Sequence, residues 1–242
     1  MADRGKSGRI CTVCARAGSK GAKNKNLRFL HGKPLVAHTV EQAKACGLAD
    51  VVVLASDSDQ ILEVGRKHGA DFVVKRPPEM ATDEASKLPA MRHAVLEAEK
   101  LTGRFYRTVL DLDPTSPLRD IQDIAGAVAL FEGKNVSNLI TGSLSRRSPY
   151  FNLVEVDKEG IARLSKPLSK PVIRRQESPL CYDMNASIYI WNREVLFKDP
   201  RVFYEDTAFY AMPVERSMDI DYELDFEIVE FLMARKLSQP PQ

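Results

Sequence analysis

With 242 residues the chain is long enough for one sizeable core, and that length favours one domain, with or without an insertion, over two independent units. Its 35 basic and 33 acidic residues leave a formal charge of +2, too balanced for a nucleic-acid coat protein or a like-charged disordered tail, so local cation clusters must carry any anion binding. The first nine residues, MADRGKSGR, lack the apolar stretch of a secretory signal, and no run approaches the ~18 apolar residues of a membrane span. A cytoplasmic protein is expected, with neither a membrane nor a nucleic acid as partner.

Residues 1–9 read as a polar tail, and the domain is expected over 10–237. Ile10 to Ala15 predicts the first strand; Cys11 and Cys14 within it have half the spacing of a zinc site but no second pair to complete it, so they are read as buried thiols. Pro34, the face Leu35, Val36, Thr39, Val40 and Ala43, and Gly47 mark a first helix. Strands at Val51 to Ala55, Phe72 to Val74, Thr108 to Leu112 and Asn138 to Thr141 then alternate with helices. These run from Ser58 to His68, along Leu88, Met91, Val95 and Leu96, and along Ile121, Ile124, Ala125, Val128 and Phe131. That alternation predicts a doubly wound α/β fold with a mostly parallel sheet. The rhythm breaks at about 143–182, where a Ser-, Pro- and Arg-rich stretch with short alternating runs predicts a β-hairpin extension. Strands at Ser187 to Trp191 and Phe209 to Val214 follow. A last helix is expected to present Leu224, Ile228, Phe231 and Leu232 on one face, before a short tail at 238–242.

Ligands of an open parallel sheet bind beyond the carboxyl ends of its strands, so the segment after the first strand is the default anion site. It holds Arg16, Lys20 and Lys25 as cations, with Gly18 and Gly21 to let backbone N–H groups approach phosphate oxygens. It is neither a Walker A loop nor a dinucleotide fingerprint, and a solvated basic loop is its plain alternative. Asp219 and Asp221 lie two apart, so in extended backbone both point to one side and can share a divalent ion, although Asp221 could instead cap the helix that follows. The run Asp113-Pro-Thr-Ser-Pro-Leu-Arg119 sits at another strand end; Arg119 reads as a charge clamp or a turn salt bridge. Arg174-Arg175-Gln176 forms a second cation cluster within the extension, and the four histidines show no metal spacing.

The order CARAGSKGAKNKNL, HGKPLVAHT, RPPEMATDEAS, DPTSPLR, RRQ, YDMNASIYI and SMDIDYELDFE closely resembles the acylneuraminate cytidylyltransferases, the CMP-sialic acid synthetase family, from about Ile10 to Leu237. The resemblance implies a nucleotidyltransferase of the nucleotide-diphospho-sugar transferase type, with CTP as donor, Mg²⁺ as cofactor, and a homodimer whose extension reaches into the partner's site. It places Arg16, Ser19, Lys20, Lys25 and Asn26 around the triphosphate and cytidine, with Arg76 also on the nucleotide. Asp219 and Asp221 would be the metal ligands, and Arg175 and Gln176 would come from the dimer extension. Asp113 and Asp183 would face the sugar, yet many sialate-specific members have Gln at the first position and Arg at the second. That departure looks more like bacterial branches that activate legionaminic acid or related nonulosonic acids, for surface glycans or glycoproteins.

The implied reaction joins CTP and a nonulosonic acid into a CMP-sugar and pyrophosphate. The sugar's anomeric hydroxyl attacks the α-phosphorus in line, Asp219 and Asp221 hold the metal, and Lys25 and Arg16 stabilise the leaving pyrophosphate. No general base is evident, Asp113 and a metal-bound hydroxide being the two candidates. The rival readings are another sugar nucleotidyltransferase, such as one for 3-deoxy-manno-octulosonate, and a non-catalytic nucleotide-binding regulator on the same fold.

Overall fold

The computed structural model describes residues 8–18, 21–80, 86–170 and 172–238. The chain runs through β1 (Gly8–Cys14), a two-rung hairpin of β2 (Phe29–Leu30) and β3 (Lys33–Pro34), α1 (Leu35–Ala45), β4 (Val51–Ser56), α2 (Asp59–Lys67) and β5 (Phe72–Lys75). It continues with α3 (Lys87–Thr102), β6 (Tyr106–Leu112), α4 (Ile121–Lys134), β7 (Asn138–Leu144), β8 (Val154–Val156) and β9 (Ala162–Leu164). The last elements are β10 (Tyr182–Met184), β11 (Ile188–Asn192), α5 (Arg193–Lys198), β12 (Ala208–Ala211) and α6 (Glu223–Leu237).

Seven strands pair in the order β10-β7-β11-β6-β1-β4-β5, and β12 adds to β7. Strands β6, β1, β4 and β5 are mutually parallel, and β12 is parallel to β7. Strand β11 runs antiparallel between β6 and β7. The sheet is thus mixed, with a parallel centre, and the α/β class expected from the alternation is what forms. Strand β1 begins at Gly8, two residues inside the segment read as a tail.

Period-two alternation along β1 divides the core. Ile10 and Cys14 pack with Met91 and Val95 of α3 and with Trp191, whereas Cys11 joins Ile124, Val128 and Phe131 of α4 and Val13 joins Val36, Val40 and Ile61 of α1 and α2. A further cluster does more for the site than its size suggests: Ala22, Leu30, Leu35, Leu118 and Ile220 pack with Phe226, Val229 and Met233 of α6. This corrects the expected face of the last helix. Leu224 and Phe231 are 64% and 65% exposed, and the buried stripe is Phe226, Val229 and Met233. Helix α6 carries apolar residues all round, so spacing alone offered two stripes; docking on Leu118 and Ile220 selects one.

The extension forms its hairpin, β8 pairing antiparallel with β9. Strand β10 returns it to the main sheet by pairing with the end of β7, Asp183 opposite Ser143. No described helix is long and apolar enough to cross a membrane.

Candidate active site

The parallel strands end together, and the loops that leave Cys14, Lys75 and Leu112 therefore open on one edge of the sheet. The basic loop leaves β1 and is held at both flanks. The Ala17 N–H donates to Asp57 Oδ1 at 2.9 Å, and Asn26 Nδ2 donates to the Arg16 carbonyl at 2.9 Å. Ser19 and Lys20 lie outside the described residues.

This loop meets the Asp219–Asp221 segment directly. The Ala22 N–H donates to the Asp221 carbonyl at 2.9 Å. A Cβ on Gly21 would stand 1.9 Å from that same oxygen, so only glycine allows the two backbones to approach. Lys25 Nζ donates to the Ile220 carbonyl and lies 3.2 Å from Asp221 Oδ1. From the other side, the Ile220 N–H donates to the Thr115 carbonyl at 3.0 Å, which ties in the loop after β6. Chain segments about two hundred residues apart thus form one floor.

The two carboxylates differ. Asp221 is largely exposed and does not cap α6, because Asp225 Oδ2 accepts from the Asp221 and Tyr222 N–H groups at 2.9 and 2.7 Å. Asp219 is mostly enclosed; burial first, and the charge of Asp113 second, raise its carboxyl to about 6. Its Oδ1 is buried without a hydrogen-bond partner. An orphaned anionic oxygen beside a second carboxylate suits a hard divalent cation, whose other positions would be filled by water and phosphate oxygens. Among the described residues no group of three or more His, Cys, Asp or Glu side chains could hold a metal by itself.

The loop after β6 is shaped by Arg119, which forms no salt bridge among the described residues and keeps its Nη1 unpartnered. Fully buried, it donates to the carbonyls of Asp113 and Ser116 and to Ser187 Oγ at 3.0 Å, and burial lowers it to about 10. Asn185 provides the complementary hub, accepting from Thr141 Oγ1 at 2.7 Å and donating to Ser217 Oγ at 3.0 Å. Asp113 therefore stands at the site edge with its oxygens engaged. Oδ1 accepts from the Thr115 N–H and Oγ1 at 3.0 and 2.9 Å, and Oδ2 accepts from Lys87 Nζ at 2.7 Å. Burial pushes this carboxyl up, but Lys87 and then Thr115 outweigh it and hold it at about 2. Asp113 is thereby held in its ionised form against Lys87 and Thr115.

Arg76 follows β5 and is 7% exposed, with its Nε buried and unpartnered. Asn26 Oδ1 is in the same condition. Unpaired buried polar atoms are costly, and a nucleotide would satisfy them. Arg175, Gln176 and Asp183 belong to the extension and to the strand that returns it to the sheet. Arg175 and Gln176 are exposed on a short turn of the extension, Arg175 donates to the Ser145 carbonyl, and Asp183 accepts from Ser145 Oγ at 2.7 Å. Among the described residues, Arg175 and Asp183 form no hydrogen bond to Lys25, Asp113 or Asp219 of the same chain. Sequence reasoning missed Lys87, Thr115 and Asn185. Thr115 and Asn185 lay within DPTSPLR and YDMNASIYI without a role of their own, and the signal of Lys87 was a cation at the first position of a helix.

Residues 10–240 match the family described as Cytidylyltransferase. The chain belongs to the cytidylyltransferases. It is 42% identical over 231 residues to the CMP-N,N′-diacetyllegionaminic acid synthase of Campylobacter jejuni, covering 96% of this chain and 97% of that one. It is 41% identical over 227 residues to the post-translational flagellin modification protein B of Campylobacter coli, covering 94% and 95%. Among solved structures, the CMP:2-keto-3-deoxy-manno-octonic acid synthetase complexed with CTP superposes with a TM-score of 0.70 at 16% identity, over 95% of this chain and all of that one. The latter likeness establishes the fold. Family membership makes the protein a nucleotidyltransferase.

Two outcomes test this cytidylyltransferase site. Gly21→Ala should force the basic loop off Asp221, lowering nucleotidyl transfer by at least ~10²-fold, with a loss of about 1–3 kcal/mol in denaturant unfolding. Because Asp219 binds its proton more tightly folded, near 6, than unfolded, near 3.8, its ionised form costs stability at neutral pH. In EDTA, Asp219→Asn should therefore stabilise the protein at pH 7 by about 1–2 kcal/mol. That gain should shrink as the pH falls through about 6 and be gone below about 3.8, a trend chemical denaturation at several pH values would reveal.

Proposed function

We propose that the enzyme joins CTP to a nonulosonic acid of the legionaminic type, releasing pyrophosphate and giving the CMP-sugar for glycan or glycoprotein synthesis. The substrate class rests on one observation above others, the whole-length likeness to the C. jejuni synthase; the flagellin-modification relative agrees with it. The octonic acid reading has fold likeness alone in its favour. A regulator without activity would have no reason to keep Lys25 and two carboxylates closed on a phosphate-type loop.

In this reading Arg16, Lys20 and Lys25 hold the triphosphate, with Ser19, Asn26 and Arg76 completing the nucleotide site. The sugar's anomeric hydroxyl attacks the α-phosphorus, the bond to the β,γ unit breaks, and pyrophosphate departs against Arg16 and Lys25. Asp219 and Asp221 would hold Mg²⁺, which when bound supplies neutralising charge at the reacting phosphate. Asp113 offers the sugar the acceptor capacity that remains on Oδ2, for an N–H or O–H donor.

Arg175, Gln176 and Asp183 can join this site if a second copy delivers its extension. Supporting this, the extension exposes Val154, Val156 and Ile161, and Ile173 and Leu180 are 82% and 74% exposed. An apolar surface of that kind marks an association site. The enzyme is read as a homodimer with shared sites in the cytoplasm.

Crossing four nucleoside triphosphates with legionaminic, pseudaminic, N-acetylneuraminic and octulosonic acids in a pyrophosphate-release assay should give turnover only with CTP and highest kcat/KM with the legionaminic type. Turnover should vanish in EDTA and return with Mg²⁺; best use of octulosonate would overturn the substrate assignment. For the dimer, an Arg175→Ala chain mixed with a Lys25→Ala chain should regain about a quarter of wild-type activity, from one intact site in a statistical mixture of dimers. No recovery after verified subunit exchange would contradict a shared site.

A further inference from the structure

The first residue of α3 is a lysine, in a position where the helix dipole favours anions and disfavours cations. Lys87 nevertheless sits there, its Nζ 2.5 Å from Asp111 Oδ2 and 2.7 Å from Asp113 Oδ2, and 5.7 Å from the centre of the Tyr189 ring. Asp111 is wholly buried at the end of β6, where Thr12 Oγ1 donates to its Oδ1 at 2.6 Å. The Lys87 and Asp113 side chains are 27% and 18% exposed. The group therefore runs from a closed bottom, Asp111, to a mouth formed by Lys87 and Asp113.

A buried ion pair is a poor device for stability, since well-packed apolar residues commonly do as well, and here the helix dipole opposes the cation too. Charge at the mouth gives the arrangement a different purpose. Without Lys87, Asp111 and Asp113 would present two like charges next to Asp219, on a wall meant to receive a sugar that itself bears a carboxylate. The ammonium cancels one of them. Its N–H groups donate to Asp113 and face Asp111 as an ion pair, and an ammonium carries three donors, so it has capacity for a ligand as well.

Taking the nonulosonic acid reading of the site as its basis, we infer that Lys87 is the specificity-determining cation of the sugar subsite, which admits a carboxylate-bearing sugar to the Asp113 wall. It acts on the acid sugar and not on the nucleotide, whose cations are those of the loop after β1 together with Arg76. It also makes Asp113 usable, because the Lys87 ammonium and the two Thr115 donors fix that carboxylate in one orientation.

The test is a cycle of Lys87→Met, Asp113→Asn and the double variant, with Lys87→Arg as the conservative change, assayed for KM of N,N′-diacetyllegionaminic acid and of CTP. Lys87→Met should raise the sugar KM by about 10- to 100-fold while the CTP KM stays within about 2-fold. The double variant, with the wall charge restored to its wild-type value, should recover at least about 3-fold of that loss, a non-additive result. Lys87→Arg should stay within about 10-fold of wild type. Should Lys87→Met fail to fold, the double variant set against Asp113→Asn decides, since removing Lys87 must still raise the sugar KM alone. A CTP KM that rises as far as the sugar KM, or a sugar KM unmoved by removing Lys87, would make Lys87 a structural residue and overturn the inference. Wild-type enzyme inactive with every nonulosonic acid would instead defeat the substrate reading itself, a result visible before any variant is made.

Discussion

The contact on which the site depends is between two backbones: the Ala22 N–H on the Asp221 carbonyl, with Gly21 pressed against the same oxygen. It joins the loop that carries the cations to the segment that carries the carboxylates. The hydrophobic cluster of Ala22, Leu30, Leu118, Ile220 and Phe226 lies directly beneath and supplies the apolar burial that holds both segments down. Lys25 then bridges the seam through the Ile220 carbonyl and the Asp221 carboxylate. A site built this way is rigid at its floor, and rigidity of the floor is what positions an in-line phosphoryl reaction.

Opposite charges are sorted around that floor. Asp111, Asp113 and Asp219 gather near the end of β6, while Arg16 and Lys25 stand on the loop from β1. Left alone, the carboxylates would repel, and their environments resolve this differently. Asp113 is kept ionised by Lys87 and Thr115, whereas Asp219 is pushed towards its protonated form by burial and by Asp113. One carboxylate is satisfied by the protein and the other is left in need of a cation. That asymmetry separates a group that shapes a wall from one suited to hold a ligand.

Much of the surrounding frame is made of motif residues that serve each other. Arg119 of DPTSPLR binds its own loop's carbonyls and Ser187, and Ser116 Oγ donates to the Asn185 carbonyl at 3.2 Å. Asn185 in turn reaches Ser217, the first residue of the SMDID segment. Three stretches that look like separate motifs are one hydrogen-bonded frame. Their shared presence follows from needing one another's backbone, whatever ligand they enclose.

The order of elements was legible because each carries its own period: β1, β4 and β6 are apolar runs of strand length, and α2 has its Ser58 cap and Gly69 stop. The basic loop and the Asp219–Asp221 pair could be named as candidates from residue type and spacing alone. Their meeting could not, since it depends on a backbone contact between distant segments that no local pattern encodes. Helix α6 shows the same limit, for its two apolar stripes are equivalent until Leu118 and Ile220 cover one of them. Lys87 shows it most fully: by itself it is one lysine among many, and it becomes part of the site only when strand β6 sets Asp111 and Asp113 against the start of α3. Local periodicity and residue chemistry determined the elements and the candidate charges, because both act over a few residues. Which charges face one another was decided by tertiary packing, because burial and Coulomb interaction depend on distance in space and not on separation along the chain.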